Sequence, residues 1–202
     1  MRRYVFTEIT ELPRHIGRQA IIDCLHDHST MIGAHPLATN FERCDPLRTA
    51  PADEYHSTWY QITDEIRYLP GISRRVTYKA CFYDLPTGLQ THVYTPRNVD
   101  IQEKWSVGGN MLGERRQTAE LGVPAPREGL YLRADVNLDC RSFLVSFVVK
   151  RLKDAHQSLV ERLIMCAGIR QKLSETSTGR APNVYELAVP EQHFYVPIPE
   201  LP

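Results

Sequence analysis

GLYLRADVNLDCRSFLVSFVVKRLKDAHQSLVERLIMCAGIRQK, residues 129–172, contains the two patterns that decide the fold. Over 130–140 apolar and polar side chains alternate, which predicts a strand with one face toward a core and the other toward water. From 142 to 172 the apolar period lengthens to 3.6 residues, which predicts one amphipathic helix. Such a helix is about 40 Å long and dominates the chain. Its apolar stripe consists of Val145, Val148, Leu152, His156, Leu159, Leu163 and Cys166 or Ala167.

The region before this stretch predicts further strands joined by short connections. Residues 4–10 predict a first strand, and 19–31 predict one short helix or two that split near Thr30. The later strands are predicted at 37–43, 55–69, 74–83, 89–95 and 100–107. Short connections favour an antiparallel meander over parallel crossovers. One long helix can cover so many strands only if the sheet curls around it. We therefore expect an α+β fold, a helix-grip arrangement with an internal cavity.

Two segments fall outside this pattern. Residues 108–129 hold five glycines and two prolines and predict a long loop, either a lid or a mobile connection. Residues 174–202 form a Pro-rich tail with interspersed aromatic residues, which packs on the body or stays mobile. The predicted organisation is therefore one domain over 1–173 followed by a tail over 174–202.

The amino-acid composition argues against several classes of partner and location. Lysine plus arginine equals aspartate plus glutamate at 24 each, so no basic excess points to nucleic acid. No apolar run is long enough for a signal peptide or a membrane span. The five cysteines are scattered singly, which predicts small buried hydrophobic side chains in a reducing compartment, the cytoplasm. The chain carries no signal of its oligomeric state.

Three stretches resemble a known group of proteins: LHDHSTMIGAHPLATNFE (25–42), RYLPGISRRVTYKACFYDLPTGLQTHVYTP (67–96) and GLYLRADVNLDCRSFLVSFVVKRLKDAHQSLVERL (129–163). They are similar to an uncharacterised fungal protein family of the START-like, polyketide-cyclase-like (SRPBCC) superfamily, over roughly residues 1–170. The resemblance implies a helix-grip fold, a fungal origin and a ligand cavity, and no particular reaction. Ala134 departs from it, because a carboxylate is expected there.

Three residues are candidates for catalysis because they place polar groups on apolar faces. His156 lies on the helix stripe, either as a hydrogen-bonded core residue or as a general acid–base group. Glu103 shares a strand face with Ile101, Trp105 and Val107. It is either a cavity acid or base, or a residue on a twisted or bulged strand that is solvated or ion-paired with an arginine. Tyr78 directs a hydroxyl group from another apolar strand face toward the interior.

Six residues are candidates for binding a hydrophobic substrate, although ordinary core packing explains each equally well. They are Trp59, Phe82, His92, Tyr94, Trp105 and Leu152. His92 and Tyr94 share one face of their strand, and the opposite face, with Thr91, Val93 and Thr95, is an equally good candidate for the inner one.

The sequence predicts neither a metal nor a cofactor. His26 and His28 are two residues apart on a predicted helix and cannot both reach one ion. His28 is instead expected to be buried and hydrogen-bonded. Glycine-rich nucleotide loops, a serine-hydrolase elbow and a zinc-protease motif are lacking in the sequence.

Two functions fit these observations, and an enzyme is slightly favoured. The first is a cofactor-independent cyclase, isomerase or pericyclase, including a Diels–Alder-type closure, acting on a hydrophobic small molecule in fungal specialised metabolism. The alternative is a non-catalytic carrier of a lipid, sterol or other hydrophobic metabolite. A third, weaker hypothesis is an interaction domain whose tail binds a partner. A catalyst should expose Glu103 or His156 to the cavity, whereas a carrier should have an almost purely apolar one.

Overall fold

The structure, a computed structural model, describes residues 2–69, 72–95, 99–111, 113–114 and 124–177. Within these residues the chain forms seven strands and three helices. The strands are β1 (Arg2–Glu11), β2 (Ala38–Arg43), β3 (Thr58–Leu69), β4 (Ile72–Leu85), β5 (Gly88–Thr95), β6 (Val99–Asn110) and β7 (Gly129–Cys140). The helices are α1 (Arg18–His26), α2 (His28–Ala34) and α3 (Val145–Ser177), with short 3₁₀ turns at Ala52–Glu54 and Ser142–Leu144.

All seven strands belong to one antiparallel sheet in the order β1-β7-β6-β5-β4-β3-β2. Strands β2 to β7 follow the chain as a meander. The N-terminal strand β1 pairs with β7 and so forms the edge of the sheet opposite β2. The sheet curves around α3, and the main hydrophobic core joins residues of both. The predicted α+β helix-grip fold is therefore confirmed.

The stretch that decides the fold behaves as its two periods predict. Burial alternates strictly along β7, so that every second residue from Leu130 to Cys140 is buried. Helix α3 begins at Val145, three residues later than predicted, because residues 142–144 form a 3₁₀ turn. Its buried side chains include Ala155, His156, Leu159, Val160, Leu163 and Ala167. Burial of this stripe against the sheet is what stabilises so long a helix.

The predicted helical segment after β1 is two helices, and the break lies at Asp27 rather than near Thr30. The Asp27 side chain accepts a hydrogen bond from the backbone N–H of Thr30 (3.1 Å) and so caps the start of α2. Arg170 of α3 donates to the same carboxylate (2.5 Å). Asp27 therefore links the junction between α1 and α2 to the long helix α3.

The segment predicted as a loop is shorter than expected at both ends. Strand β6 continues to Asn110 and β7 starts at Gly129, so the connection spans residues 111–128. Gly109 has φ +88°, and a Cβ there would lie 2.1 Å from the Gly129 carbonyl oxygen, so only glycine fits this close pairing. Residues 112 and 115–123 of the predicted lid lie outside the described residues, as does most of the predicted tail (178–202).

Three of the five cysteines are buried as predicted, and Cys44 and Cys166 are only half-buried, which corrects the prediction for those two. Cys166 on α3 lies against Cys24 on α1, with the two thiol sulfurs 2.8 Å apart. Burial, together with this neighbouring thiol, raises the pKa of Cys24 to about 12.

In the described part of the chain, no helix has both the length and the apolar character required to cross a membrane.

Candidate functional site

A cavity of about 180 Å³ lies between the sheet and α3. Most of its wall is apolar and comes from α2, β3 to β6 and the middle of α3. Among the polar side chains that border it are His35, Asp64, Tyr78, Thr91, Glu103 and His156. A largely apolar cavity with a few convergent polar groups is the usual form of a small-molecule site.

His156 is held between two carboxylates in this wall. Its Nδ1 lies 2.6 Å from Oε2 of Glu8 on β1, and its Nε2 lies 3.0 Å from Oε1 of Glu103 on β6. The indole N–H of Trp105 donates to the other oxygen of Glu103 (3.3 Å). The three ionisable groups come from β1, β6 and α3, so the ion pairs form only in the folded chain.

The charges in this group stabilise one another. Burial lowers the pKa of His156, but Glu103 and Glu8 outweigh that effect and raise it to about 9. Burial raises the pKa of Glu103, but the charge and hydrogen bond of His156 outweigh it, so its pKa lies below the ordinary value. At neutral pH the site therefore holds an imidazolium, His156, beside the ionised Glu103.

A second polar group borders the same cavity near the other edge of the sheet. The Tyr78 hydroxyl on β4 donates to Oδ2 of Asp64 on β3 (3.1 Å). Burial raises the pKa of Asp64, against the smaller lowering effects of His35 and Tyr78. Burial and the nearby carboxyls of Asp64 and Glu103 raise the pKa of Tyr78. The His35 imidazole also lowers the pKa of Glu103, so it lies within electrostatic reach of both acids.

Six of the nine site residues predicted from sequence line this cavity: Tyr78, Phe82, Glu103, Trp105, Leu152 and His156. Trp59, His92 and Tyr94 do not, which corrects their expected place in the cavity wall. They lie on the outer face of the sheet, because Tyr60 on β3 and Thr91 and Val93 on β5 occupy the inner positions.

The outer residues form a second ionisable group, covered by the 3₁₀ turn at Ala52–Glu54. His92 Nδ1 lies 2.6 Å from Oε1 of Glu54, and its Nε2 lies 2.9 Å from Asp100. Tyr94 donates to Glu54 (2.5 Å) and stacks on Trp59 with ring centroids 5.6 Å apart. This group fastens the turn to the sheet.

Four polar residues of the inner site were missed from sequence: Glu8, His35, Asp64 and Thr91. Thr91 could have been found, because its strand face was one of two candidates for the inner one. Asp64 shares one face of β3 with Tyr60 and Ile62. That pattern is a weak signal, because the neighbouring residues Thr63 and Glu65 are polar as well. Glu8 and His35 carry no signal in their own segments.

His28 is buried and hydrogen-bonded, as predicted, with Nε2 3.0 Å from Asp84 and Nδ1 3.4 Å from the Tyr60 hydroxyl. His26 Nε2 instead contacts the carbonyl oxygens of Leu85 and Gly88. The two rings thus have separate partners. Among the residues that the structure describes, no group of three or more His, Cys, Asp or Glu side chains is arranged to hold a metal ion.

The fold and cavity define a helix-grip protein, and comparison with solved structures agrees. The di-domain ARO/CYC StfQ from the steffimycin biosynthetic pathway is similar at 10% identity and a TM-score of 0.57, over 84% of this chain and 52% of that one. The chain thus spans about half the length of that protein. A Thalictrum flavum norcoclaurine synthase mutant is similar at 11% identity and a TM-score of 0.51, over 84% and 97% of the two chains.

Ara h 8.0201 is similar at 9% identity and a TM-score of 0.50, over 81% of this chain and 99% of that one. At such identities the likeness is one of fold alone, and it agrees with the predicted helix-grip fold.

The chain belongs to the family described as a domain of unknown function, DUF7053, whose profile matches residues 1–169. Among curated proteins, no sequence matches this chain.

Proposed function

We propose that the protein is a cofactor-independent cyclase or isomerase that moves protons on a hydrophobic small molecule, in fungal specialised metabolism. The observation that carries the proposal is a pair of carboxyl groups, Glu103 and Asp64, on one apolar cavity. Their pKa values are displaced in opposite directions, Glu103 downward and Asp64 upward. Two carboxyl groups whose pKa values are shifted in opposite directions suit the separate roles of base and acid.

The chemistry follows from these opposite displacements of the two pKa values. The Glu103 carboxylate accepts a proton from a carbon beside a substrate carbonyl, and the C–H electron pair forms an enolate. In its protonated form, which burial favours by raising its pKa, the carboxyl group of Asp64, held by Tyr78, donates a hydrogen bond to the enolate oxygen. Return of the proton at another carbon gives an isomer. Attack of the enolate carbon on a second carbonyl of the same molecule closes a ring, and the alkoxide that forms takes back the proton held by Glu103.

His156 acts through Glu103. Its imidazolium keeps that carboxylate ionised, and its contact with Glu8 fixes the orientation of the ring. The apolar wall restricts the substrate to a conformation close to the reacting one. All five cysteines are free thiols, which suits the reducing cytoplasm in which the proposal places the reaction.

The alternative, a carrier of lipids or sterols, is less well supported. Drug-sized ligands occupy cavities of roughly 300–1,000 Å³, and a cavity of about 180 Å³ encloses only part of a sterol. A carrier also has no need for an ion pair in its cavity wall, since burying charges is costly.

The test is turnover of small enolisable keto compounds by the wild-type protein and by Glu103→Gln. We expect the variant to lose activity by about 10²- to 10⁴-fold, because the amide cannot accept the proton. The matched control is Glu54→Gln, which alters a carboxylate of the outer group and should retain activity. Exchange of substrate C–H protons in deuterated water, followed by NMR, detects the first step even when no ring closes.

Two results would refute the proposal. One is proton exchange in Glu103→Gln at the wild-type rate. The other is the lack of turnover and exchange for every keto compound that binds to the wild-type protein.

A further inference from the structure

Two of the five cysteines face each other where α1 packs on α3. The thiol sulfurs of Cys24 and Cys166 are 2.8 Å apart, although the two residues are 142 positions apart in the chain. Non-bonded carbon atoms pack at about 3.5–4.0 Å, whereas the sulfurs of a disulfide are about 2.05 Å apart. A disulfide at this place therefore requires the sulfurs to approach by only about 0.8 Å.

The two thiols differ in their access to solvent. Cys24 lies in the main hydrophobic core and is fully buried, and burial together with the neighbouring thiol raises its pKa to about 12. Cys166 is half-buried and packs against the edge of the same core. A small oxidant that arrives from solution therefore reaches Cys166 first, and Cys24 lies directly behind it.

A positive charge lies beside this pair. Arg170 follows Cys166 by one turn of α3, and its guanidinium group hydrogen-bonds the Cys166 sulfur and acts electrostatically on both thiols. The Asp27 carboxylate and the Asp23 carbonyl oxygen accept hydrogen bonds from the same guanidinium group and hold it in place. Cysteines that react with peroxides are typically accessible and close to a positively charged side chain. Cys166 meets both conditions.

Cys44 provides the comparison within the same chain. It is half-buried like Cys166, and the ammonium group of Lys79 acts on it electrostatically. Among the described residues, however, the contact between Cys24 and Cys166 is the one contact that joins two cysteine sulfurs. What distinguishes Cys166 is therefore the second thiol beside it, and a second thiol is what converts an oxidised cysteine to a disulfide.

We propose that Cys24 and Cys166 are a reversible oxidation site, at which hydrogen peroxide converts the two thiols to a disulfide that joins α1 to α3. In the first step the Cys166 thiolate attacks a peroxide oxygen, so that an S–O bond forms and the O–O bond breaks. The hydroxide that leaves takes up the thiol proton and becomes water. The product at Cys166 is a sulfenic acid.

In the second step the sulfur of Cys24 attacks the sulfur of Cys166. The S–S bond forms, the S–O bond breaks, and the hydroxyl group leaves as water with the proton of Cys24. Two electrons thus pass from the two thiols to the peroxide. A dithiol such as dithiothreitol returns them by thiol–disulfide exchange and restores both cysteines.

The disulfide restrains helices that border the cavity. Helix α1 continues through Asp27 into α2, whose Met31 and Ile32 are part of the cavity wall. Helix α3 contributes Leu152 and Leu159 to the same wall. Oxidation therefore fixes α3 to the helix that leads into α2. This inference does not rest on the function proposed above.

The first experiment treats the reduced full chain with stoichiometric hydrogen peroxide, blocks the remaining thiols with N-ethylmaleimide and digests the protein with trypsin. Cleavage after arginine places Cys24 in the peptide 19–43 and Cys166 in the peptide 163–170. We expect mass spectrometry to detect the two peptides joined, with a mass two hydrogens below their sum, and dithiothreitol to separate them. Cys24→Ala and Cys166→Ser should lose the joined species, and the control Cys44→Ser should retain it.

The order of the two steps has its own readout. Dimedone labels sulfenic acids, so it should label Cys166 in Cys24→Ala, where no second thiol can displace the hydroxyl group. In Cys166→Ser it should leave Cys24 unlabelled, because that thiol is fully buried and its pKa of about 12 keeps it protonated. Labelling of Cys24 in Cys166→Ser would contradict the assigned order.

The second experiment measures the melting temperature before and after peroxide treatment. A disulfide between residues 142 positions apart closes a long loop of the unfolded chain, so the oxidised protein should melt about 5–15 °C higher than the reduced one. Dithiothreitol should reverse the increase. Cys166→Ser should show no increase, and Cys44→Ser should show the full one. These wild-type and Cys166→Ser measurements keep the test valid if Cys24→Ala does not fold.

Three results would overturn the inference. The first is a peroxide-treated wild-type protein in which peptides 19–43 and 163–170 are not joined. The second is equal formation of the link in urea, where the fold no longer brings the two thiols together. The third is a linked protein that melts at the temperature of the reduced one. Loss of the proposed catalytic activity in Glu103→Gln has no bearing on any of these results.

Discussion

Two histidines in this protein are each held between two carboxylates, one pair on each face of the same sheet. His156 lies on the inner face with Glu8 and Glu103, and His92 lies on the outer face between Glu54 and Asp100. Both imidazoles are almost fully buried, with side-chain exposures of 8% and 6%. Burial and ion pairing alone therefore do not mark a functional site.

What differs is access to a space that can hold a molecule. Glu103 and His156 border the cavity. The outer group is covered by the turn that carries Glu54 and by Trp59, whose indole N–H donates to the Glu54 carbonyl (2.9 Å). The inner group can therefore act on a ligand, whereas the outer group holds a turn in place.

The largest expected difference between the two groups is in the free energy of unfolding. His156→Ala leaves Glu103 buried without its counter-charge, which we expect to cost about 3–5 kcal/mol. His92→Ala should cost less, about 1–3 kcal/mol, because Tyr94 still donates to Glu54 and the Asp100 side chain is 38% exposed. Urea unfolding of both variants measures the difference. Equal losses of unfolding free energy, or a larger loss for His92→Ala, would contradict this distinction between the inner and outer groups.

The inner group should also make stability depend on pH on the alkaline side. The pKa of His156 is raised from 6.5 in the unfolded chain to about 9. The stabilisation is therefore fully present below pH 6.5 and is lost as pH rises through about 9. The corresponding loss of unfolding free energy is about 3 kcal/mol. Urea unfolding at a series of pH values measures it, and the loss should vanish in His156→Ala. A wild-type curve that is flat across this window would disprove the pKa assignment.

The inner group was largely predictable because its strands have one buried and one open face. On β6, Glu103 alternates with Ile101 and Trp105, and that alternation correctly predicts an inward carboxylate. On α3, the helical period correctly places His156 among buried residues. In both elements, burial of a single face produces the pattern, so the pattern indicates the face.

The outer group could not be predicted in this way, because both faces of its strand are covered. On β5, Thr91 and His92 are both buried, one beneath the cavity and the other beneath the 3₁₀ turn. Alternation carries no information about which face is inner when both are covered. The covering turn precedes its partners by about forty residues, at Glu54, so only the tertiary structure shows the contact. Glu8 was missed in the same way, because its partner His156 lies 148 residues away.

The smallest expected difference concerns the two tyrosines, and it tests the protonation states directly. Tyr94 donates to Glu54, whose pKa is lowered because the hydrogen bonds of Tyr94 and His92 outweigh burial, so the acceptor is ionised. Tyr78 donates to Asp64, whose pKa is raised by burial. Hydrogen bonds to charged groups contribute about 1.5–3 kcal/mol and those to neutral groups about 0.5–1.5 kcal/mol.

We therefore expect Tyr94→Phe to lower the free energy of unfolding near neutral pH more than Tyr78→Phe does, although Tyr78 is the residue beside the cavity. Urea unfolding measures both variants, and each change removes one hydroxyl group and leaves the ring in place. If Tyr78→Phe were the more damaging, the result would indicate an ionised Asp64 in the ligand-free protein, despite the burial that raises its pKa. Asp64 could not then act as the proton donor, and the acid role assigned to Asp64 would have to be withdrawn.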